Sequence, residues 1–289
     1  MRNDKTAWYR IGDLVLRVES DLPFDTESED LRPFRIDEAP ADYIYRFCKC
    51  DNMQEIIKDT RMVCRFFFGA DLIGKNGEHF RALNINKLGY EAVIRLDEQT
   101  GVIFYESEAV LAKLKERGFS LVHYFVLEHL FYRYGGFILH STHVNVGGRA
   151  LLFSAPSGTG KSTQADLWGK YVGTELINGD RTLLRKKDGV WHAYGCPMSG
   201  TSDVHKQGCE PIYAIVILSQ DTENTVRRLT PKEAIRCIYQ EFTVPNWSRE
   251  LVLKAMEMLD DLMAQVPIYA LACTPDERAV IALREAIGL

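Results

Sequence analysis

The stretch 149-RALLFSAPSGTGKST-163 joins an apolar run to a loop of small residues that closes on Gly-Lys-Ser at 160–162. Residues 151–153 have the pattern of a buried strand, and residues 163–168 continue as a helix. A strand that delivers such a loop onto a helix start turns several backbone N–H groups toward one point and adds a lysine cation and a serine hydroxyl. The stretch therefore predicts a loop that binds a nucleoside triphosphate together with Mg²⁺.

The loop departs from the pattern G-x-x-x-x-G-K-[ST] at its first position, where Ala155 stands in place of glycine. Alanine can hold the required turn if its φ stays below zero. The alternative interpretation is a Gly/Ser turn that precedes a lysine by chance. The predicted nucleotide-binding residues are Ser157, Gly158, Thr159, Gly160, Lys161, Ser162 and Thr163.

Composition restricts the classes of partner. The formal net charge of −5 over 289 residues argues against broad nucleic-acid binding, which needs a concentrated basic surface. The N-terminus has no apolar signal segment, and no apolar run is long enough to cross a bilayer, so we expect a cytoplasmic enzyme without a membrane partner. The seven cysteines include Cys48 and Cys50, but this pair lacks a second ligand pair for zinc, and free thiols are expected.

Two regions differ in their patterns, which predicts two domains in an α/β (α+β) fold. Residues 1–134 contain short β-like runs separated by polar turns, followed by helical stretches at 108–116 and 119–134, so we expect a mostly antiparallel β domain with helices. Gly135-Gly136 marks the predicted boundary. Residues 135–289 alternate between strands and helices and form the predicted nucleotide-binding domain.

The C-terminal region gives the more detailed prediction. Strands are expected at 137–146, 149–154, 175–178, 181–186, 190–194, 211–219 and 267–272, and helices at 161–171, 231–241, 249–265 and 275–287. Thr230 and Thr274 each precede a proline and have a glutamate three residues later, which is typical of a capped helix start.

A triphosphate site also needs an acid that holds the metal from a second side, commonly at the end of a neighbouring strand. Asp180 follows the apolar Leu176-Ile177 and is the candidate, so Ser162 and Asp180 are the predicted Mg²⁺ ligands. The alternative is that Asn-Gly-Asp at 178–180 forms only a hairpin turn.

Three segments together resemble a known family: Leu139-His140, 151-LLFSAPSGTGKS-162 and 176-LINGDR-181. They are similar to the catalytic domain of HPr kinase/phosphorylase and, more distantly, to the nucleotide site of phosphoenolpyruvate carboxykinases, over residues 137–220. The resemblance implies a P-loop kinase domain with a mixed sheet, ATP or GTP and Mg²⁺ as cofactors, and a possible homo-oligomer. It places His140 near the active site, Lys161 and Ser162 on phosphates and Mg²⁺, and Asp180 at the second Asp of a pair.

The chain differs from that family at Gly179, where the family has the Asp that activates the attacking hydroxyl. His140 is the first candidate to replace this base, because histidine exchanges protons near neutral pH; the alternative is a histidine satisfied at a sheet end. Asn178 could orient a hydroxyl but cannot accept a proton. The predicted catalytic residues are His140, Lys161 and Asp180.

A second polar segment, residues 194–206, follows the predicted site. Either it covers the acceptor or it is a surface connection. In the first case its hydrogen-bond donors are Ser199, Thr201 and Ser202, and its alternative bases are Asp203 and His205. Arg181 either pairs with Asp180 or stabilises the transferred phosphate.

These patterns predict an ATP- and Mg²⁺-dependent phosphotransferase that moves the γ-phosphoryl group to a hydroxyl, in the first place Ser or Thr of a peptide or protein. The alternatives are a kinase of a free small molecule and a regulatory module that binds nucleotide without catalysis. A decarboxylating carboxykinase is disfavoured, because that chemistry needs an additional transition-metal site. The role expected of residues 1–134 is selection of the acceptor.

Overall fold

The computed structural model describes residues 5–23, 29–66, 68–83, 90–113, 122–198, 200–244 and 248–289. The chain forms two compact units: Met1–Leu127 with Asn246–Ser248, and Glu128–Pro245 with Arg249–Leu289. This division lies between Leu127 and Glu128, ahead of the boundary predicted at Gly135-Gly136, and the predicted domains stay a prediction. The predicted helix at 119–134 lies partly outside the described residues, as does the end of the predicted helix at 108–116.

In the residues that the structure describes, the first unit is built on a nine-stranded sheet with the order β3-β1-β2-β4-β9-β8-β7-β6-β5. Most neighbours are antiparallel, but β4 pairs in parallel with both β2 and β9, so the sheet is mixed. Its strands are β1 (Thr6–Ile11), β2 (Leu14–Ser20), β3 (Arg35–Ile36), β4 (Tyr43–Lys49), β5 (Thr60–Phe66), β6 (Gly69–Gly74), β7 (His79–Leu83), β8 (Ala92–Leu96) and β9 (Thr100–Tyr105). Its helices are α1 (Met53–Ile57), α2 (Ala109–Lys113) and α3 (Val122–Phe125).

The second unit contains an eight-stranded mixed sheet and the longer helices. The strands are β10 (Gly136–Val146), β11 (Arg149–Ser154), β12 (Glu175–Asn178), β13 (Arg181–Lys187), β14 (Val190–Gly195), β15 (Cys209–Gln220), β16 (Thr225–Arg228) and β17 (Ile268–Cys273). The helices are α4 (Leu127–Arg133), which crosses the division between the units, α5 (Lys161–Val172), α6 (Pro231–Ile238), α7 (Arg249–Gln265) and α8 (Glu277–Ile287).

The long strand β10 organises this sheet. Its first half pairs with β13, and its second half pairs with β11 and β12. Since β15 pairs with both β14 and β11, strands β10, β13, β14, β15 and β11 form a closed ring. The register sets His140 opposite Arg181 and Ser141 opposite Ser154. The middle of β10 thereby joins the end of β11 to the start of β13.

Two apolar cores pack against the sheet and both include residues of β15. A strand that is covered on both faces needs apolar side chains at consecutive positions, as the β15 sequence has. In one core, Phe153 of β11 packs in the same buried cluster as Trp168 of α5 and Leu283 of α8. In the other, Ile215 of β15 shares a cluster with Leu259 of α7. Each such side chain contributes about 1.5–3 kcal/mol when it is buried from water. This packing fixes α5, and with it the loop at its N-terminus, against the sheet.

Several helices and strands begin or end at residues other than the predicted ones. Helix α6 ends at Ile238 and gives way to a 3-10 turn at Tyr239–Glu241, and strand β16 was not predicted. The start of α6 is confirmed, with the Glu233 carboxylate 3.0 Å from the Thr230 backbone nitrogen. The cap of α8 is Asp276 and not Thr274, because the Asp276 carboxylate accepts the Arg278 N–H. In the described part of the chain, every helix is too short or too polar to span a membrane.

Candidate functional site: the glycine loop and the His140–Asp180 pair

The loop between β11 and α5 has the backbone that its glycines require. Gly158 has a φ of 80° and Gly160 a φ of 116°, values that side-chain-bearing residues rarely adopt. A Cβ built on either glycine meets no atom within 4 Å, so the loop is open at both positions. Ala155 is not among the described non-glycine residues with positive φ, and it therefore satisfies the condition under which alanine replaces the first glycine.

The first turn of α5 presents backbone donors. Its N-cap is Gly160, which makes no side-chain capping bond, and Gln164 N–H donates to the Gly160 carbonyl at 2.9 Å. The N–H groups of residues 161–163 precede that bond and have no acceptor within the helix, and the helix dipole adds partial positive charge there. Ser162 and Thr163 are exposed at this end. The helix start can therefore bind an anion such as a phosphate.

Lys161 places its cation against this loop. Its side chain is 7% exposed, and Nζ donates to the carbonyl oxygens of Ala155 at 2.7 Å and Pro156 at 3.3 Å. Burial lowers the pKa of Lys161, and the charges of Glu241 and Asp180 act in the opposite direction. A desolvated ammonium is stabilised by a nearby anion, so the residues present fit a polyphosphate group.

Asn178 organises the neighbouring turn with four hydrogen bonds. Its Nδ2 donates to the carbonyls of Cys196 (2.7 Å) and Met198 (3.0 Å), and its Oδ1 accepts the N–H groups of Asp180 (2.9 Å) and Arg181 (2.8 Å). The residue is fully buried. An amide has two donors and two acceptor sites, and all are used here. The expectation that Asn178 orients a substrate hydroxyl is therefore corrected: its role is to shape the turn.

Asp180 emerges from that turn beside the His140 ring and the Arg181 guanidinium. Its Oδ1 lies 3.3 Å from His140 Nε2, and its Oδ2 lies 3.2 Å from Arg181 Nε. The hydrogen bond from His140 lowers the pKa of Asp180; burial opposes this, and the Arg181 charge reinforces it. Gly200, with a φ of 59°, packs on the same side chain, since a Cβ at Gly200 would lie 2.7 Å from the Asp180 Cβ. Asp180 is thus ionised and held in place from several sides.

His140 links Asp180 to a carboxylate that sequence reasoning missed. His140 Nδ1 lies 2.7 Å from Glu241 Oε2, and Glu241 is 8% exposed. Each ring nitrogen of His140 thus has a carboxylate oxygen as its neighbour. Glu241 reaches the ring because its neighbour Phe242 bridges to Leu139 on β10. No sequence signal marks it, because its position depends on that bridge.

The structure brings the predicted catalytic residues into one charged cluster. Lys161 interacts electrostatically with Asp180, Glu241 and Arg181, and Asp180 interacts with His140. No three His, Cys, Asp or Glu side chains in the described ranges could hold a metal ion together. Ser162 and Asp180 would supply only part of a Mg²⁺ shell, which commonly keeps water and phosphate oxygens as its other ligands.

A cavity of about 350 Å³ opens beside Ser162. It is lined by Thr142, Ser162, Asp166, Leu176, Gly179, Ser202 and Val204. Of the predicted donors in residues 194–206, Ser202 lines this cavity, while Ser199 and the side chain of Thr201 lie outside what the structure describes. The predicted bases Asp203 and His205 are absent from the lining. The predicted roles of Asp203 and His205 as bases stay predictions.

Comparisons with known proteins give little further information. No family model matches the chain, and no curated protein matches it. Among solved structures, part of the chain is similar to the HPr(Ser) kinase/phosphatase from Coxiella burnetii, with 9% identity and a TM-score of 0.30, over 52% of this chain and 95% of that one. A similarity this weak carries no argument about the site. Any functional assignment depends on the geometry of this chain.

Proposed function

We propose that this protein binds ATP or GTP with Mg²⁺ at residues 157–163 and transfers the γ-phosphoryl group to a hydroxyl. The acceptor proposed first is a Ser or Thr of a peptide or protein. The observation that carries the proposal is the buried Lys161 ammonium at an uncapped helix start, in one charged cluster with the Asp180–His140 pair. Phosphoryl transfer depends mainly on positioning and charge stabilisation, which this arrangement supplies.

Each group has a role that follows from its contacts. The N–H groups of the loop would bind phosphate oxygens, and Lys161 would leave the carbonyls of Ala155 and Pro156 to neutralise charge between the β- and γ-phosphates. Ser162 and Asp180 would hold Mg²⁺, which supplies Lewis-acid stabilisation of the phosphates. Glu241 keeps His140 oriented through Nδ1.

His140 is better suited to donate hydrogen bonds than to accept them in this arrangement, because both ring nitrogens face carboxylate oxygens. We propose that it stabilises the phosphoryl group by a hydrogen bond from Nε2 that takes the place of its contact with Asp180, while Glu241 holds Nδ1. The proton acceptor for the attacking hydroxyl would then be another residue.

A nucleotide-binding module without transfer activity is the second candidate. It is favoured by Gly179, which offers no carboxylate, and by the engagement of both His140 nitrogens. Calorimetry with a non-hydrolysable ATP analogue and Mg²⁺ measures binding, and radiolabelled ATP measures transfer to a pool of peptides that each carry one Ser or Thr, and to water. Binding without transfer or hydrolysis would favour the module.

Lys161→Ala tests the binding site itself. We expect nucleotide affinity to fall about 10- to 100-fold, since a charge-assisted hydrogen bond contributes roughly 1.5–3 kcal/mol. Lys170→Ala, on the exposed side of the same helix, is the matched control and should leave affinity unchanged. Equal affinity of the two variants, or no nucleotide binding by the unmodified protein, would reject the proposed function.

A further inference from the structure

The cavity beside Ser162 contains a carboxylate for which the proposed function has no role. Its lining combines the hydroxyl side chains Thr142, Ser162 and Ser202 with the apolar Leu176 and Val204, and the acid among them is Asp166. Asp166 is exposed to solvent. A polar cavity with one negative charge, next to a predicted phosphate site, is suited to a neutral, proton-donating group.

Asp166 faces this cavity because of its place in the helix. It lies four residues after Ser162 in α5, so the two side chains share one face of the helix. Helical side chains also lean toward the N-terminus, which directs Asp166 back over the turn that carries Ser162. A group in the cavity would therefore lie between the phosphate end of the loop and the Asp166 carboxylate.

Asp203 and His205 are absent from the lining of the cavity, and the predicted catalytic residues beside the loop are already engaged. Asp180 is paired with His140 and Arg181, and His140 has a carboxylate at each ring nitrogen. The Thr142 hydroxyl donates to the Gly179 carbonyl at 3.0 Å. Asp166 is not part of the cluster that Asp180, His140 and Arg181 form, and it lines the cavity together with Gly179.

We propose, building on the phosphotransferase function above, that this cavity receives the acceptor hydroxyl and that Asp166 accepts its proton. In the step, the acceptor O–H proton passes to the Asp166 carboxylate as the acceptor oxygen forms a bond to the γ-phosphorus. The bond from that phosphorus to the β,γ-bridging oxygen breaks, and the nucleoside diphosphate leaves with the electron pair. The protonated Asp166 then returns its proton to solvent, to which it is exposed.

The chemistry of the lining indicates the kind of acceptor. The hydroxyl groups of the lining can hydrogen-bond an alcohol, and Leu176 and Val204 would contact its carbon atoms. The acceptor group is therefore a neutral alcohol on a short aliphatic carbon, as in a Ser or Thr side chain. An acidic acceptor would be repelled by Asp166.

Asp166→Asn in the full-length protein tests this role, with Asp260→Asn on the exposed face of α7 as the matched control. The rate is measured under single-turnover conditions with radiolabelled ATP, for transfer to the single-Ser/Thr peptide pool and for release of inorganic phosphate to water. We expect Asp166→Asn to slow transfer about 100-fold, as for loss of a general base, with nucleotide affinity unchanged. Asp260→Asn should match the unmodified protein.

A second substitution distinguishes proton transfer from a structural effect. Because Gly179 lines the same cavity, Gly179→Asp added to Asp166→Asn should restore at least part of the rate, which a merely structural role would not allow. Unchanged transfer in Asp166→Asn overturns the inference, and so does a parallel loss of nucleotide affinity. A loss of rate that neither Gly179→Asp nor Asp166→Glu repairs also overturns it. No turnover in the unmodified protein would instead reject the proposed function from which the inference starts.

Discussion

At the scale of single residues, the site depends on a few fully used polar groups. The Asn178 amide joins the turn that presents Asp180 to the carbonyls of Cys196 and Met198, and Glu241 and Asp180 hold His140 between them. Removing one member of such a network leaves buried partners unsatisfied, which costs about 1–3 kcal/mol per group. These residues are therefore expected to tolerate substitution poorly even where they do not touch a ligand.

Gly200→Ala should displace Asp180. Its added Cβ would lie 2.7 Å from the Asp180 Cβ and 2.8 Å from its Cγ. Gly189→Ala is the control, since Gly189 has a φ of 81° but no atom within 4 Å of an added Cβ. Both variants should lose about 1–2 kcal/mol of stability from the left-handed backbone.

The two glycine variants should differ in phosphoryl transfer. We expect a loss of roughly 10- to 100-fold in Gly200→Ala alone, because a misplaced Asp180 can no longer position its partners. Thermal melting measures the loss of stability, and turnover with radiolabelled ATP measures the loss of phosphoryl transfer. Equal turnover in the two variants would show that the position of Asp180 is unimportant for activity.

At the scale of elements, the strand β11, the glycine loop and the helix α5 form one strand–loop–helix motif, and all three parts were predicted. The strand is fixed by its apolar side chains and the helix by Trp168, which packs with Phe153. The loop conformation is fixed by glycine φ values, and Gln220 Nε2 lies 3.4 Å from the carbonyls of both Gly158 and Thr159. The two ends of α5 offer a comparison of glycine roles.

Gly160→Ala should weaken nucleotide binding, whereas Gly173→Ala should not. Gly160 begins the helix with a φ of 116°, outside the left-handed region that alanine can enter at modest cost. Gly173 ends the same helix with a φ of 77°, so alanine there costs about 1 kcal/mol of stability. Calorimetric affinity should fall at least roughly tenfold in Gly160→Ala only. Similar affinities would argue that the loop does not bind the nucleotide.

At the scale of the whole molecule, the two units differ in how their sheets end. The sheet of the first unit is open in the described residues, with β3 and β5 at its edges. The second unit contains the closed ring formed by β10, β13, β14, β15 and β11, and β15 also pairs with β17. A strand with paired neighbours on all sides opens only when much of the unit unfolds.

Hydrogen exchange of the folded chain should follow this arrangement. Residues 214–218 of β15 should exchange most slowly in the second unit, and the edge strand β16 should exchange at least roughly ten times faster. Mass spectrometry of peptic fragments measures both segments in the same sample, so each is a control for the other. Equally fast exchange in the two strands would contradict the closed ring as the stable centre of the unit.

Local signals explain what could be read from the sequence. Apolar runs, glycine positions and capping residues act over a few positions along the chain, so the sequence predicted β11, α5 and most other elements of the second unit, along with the loop at 157–163. It missed β16 and the Asp276 cap, since β16 is a short polar segment that forms by pairing with β17. The parallel pairing of β4 in the first unit likewise has no local signal.

By itself, therefore, the sequence determined the glycine loop, its lysine and the acid that follows a neighbouring strand, because each depends on adjacent residues. Only the tertiary structure decided that Glu241 lies against His140, that the Asn178 amide donates to the carbonyls of Cys196 and Met198, and that Asp166 shares a cavity with Gly179. These contacts join residues far apart in the chain. The pairing of β10 with distant strands brings them together, and no local preference encodes that pairing.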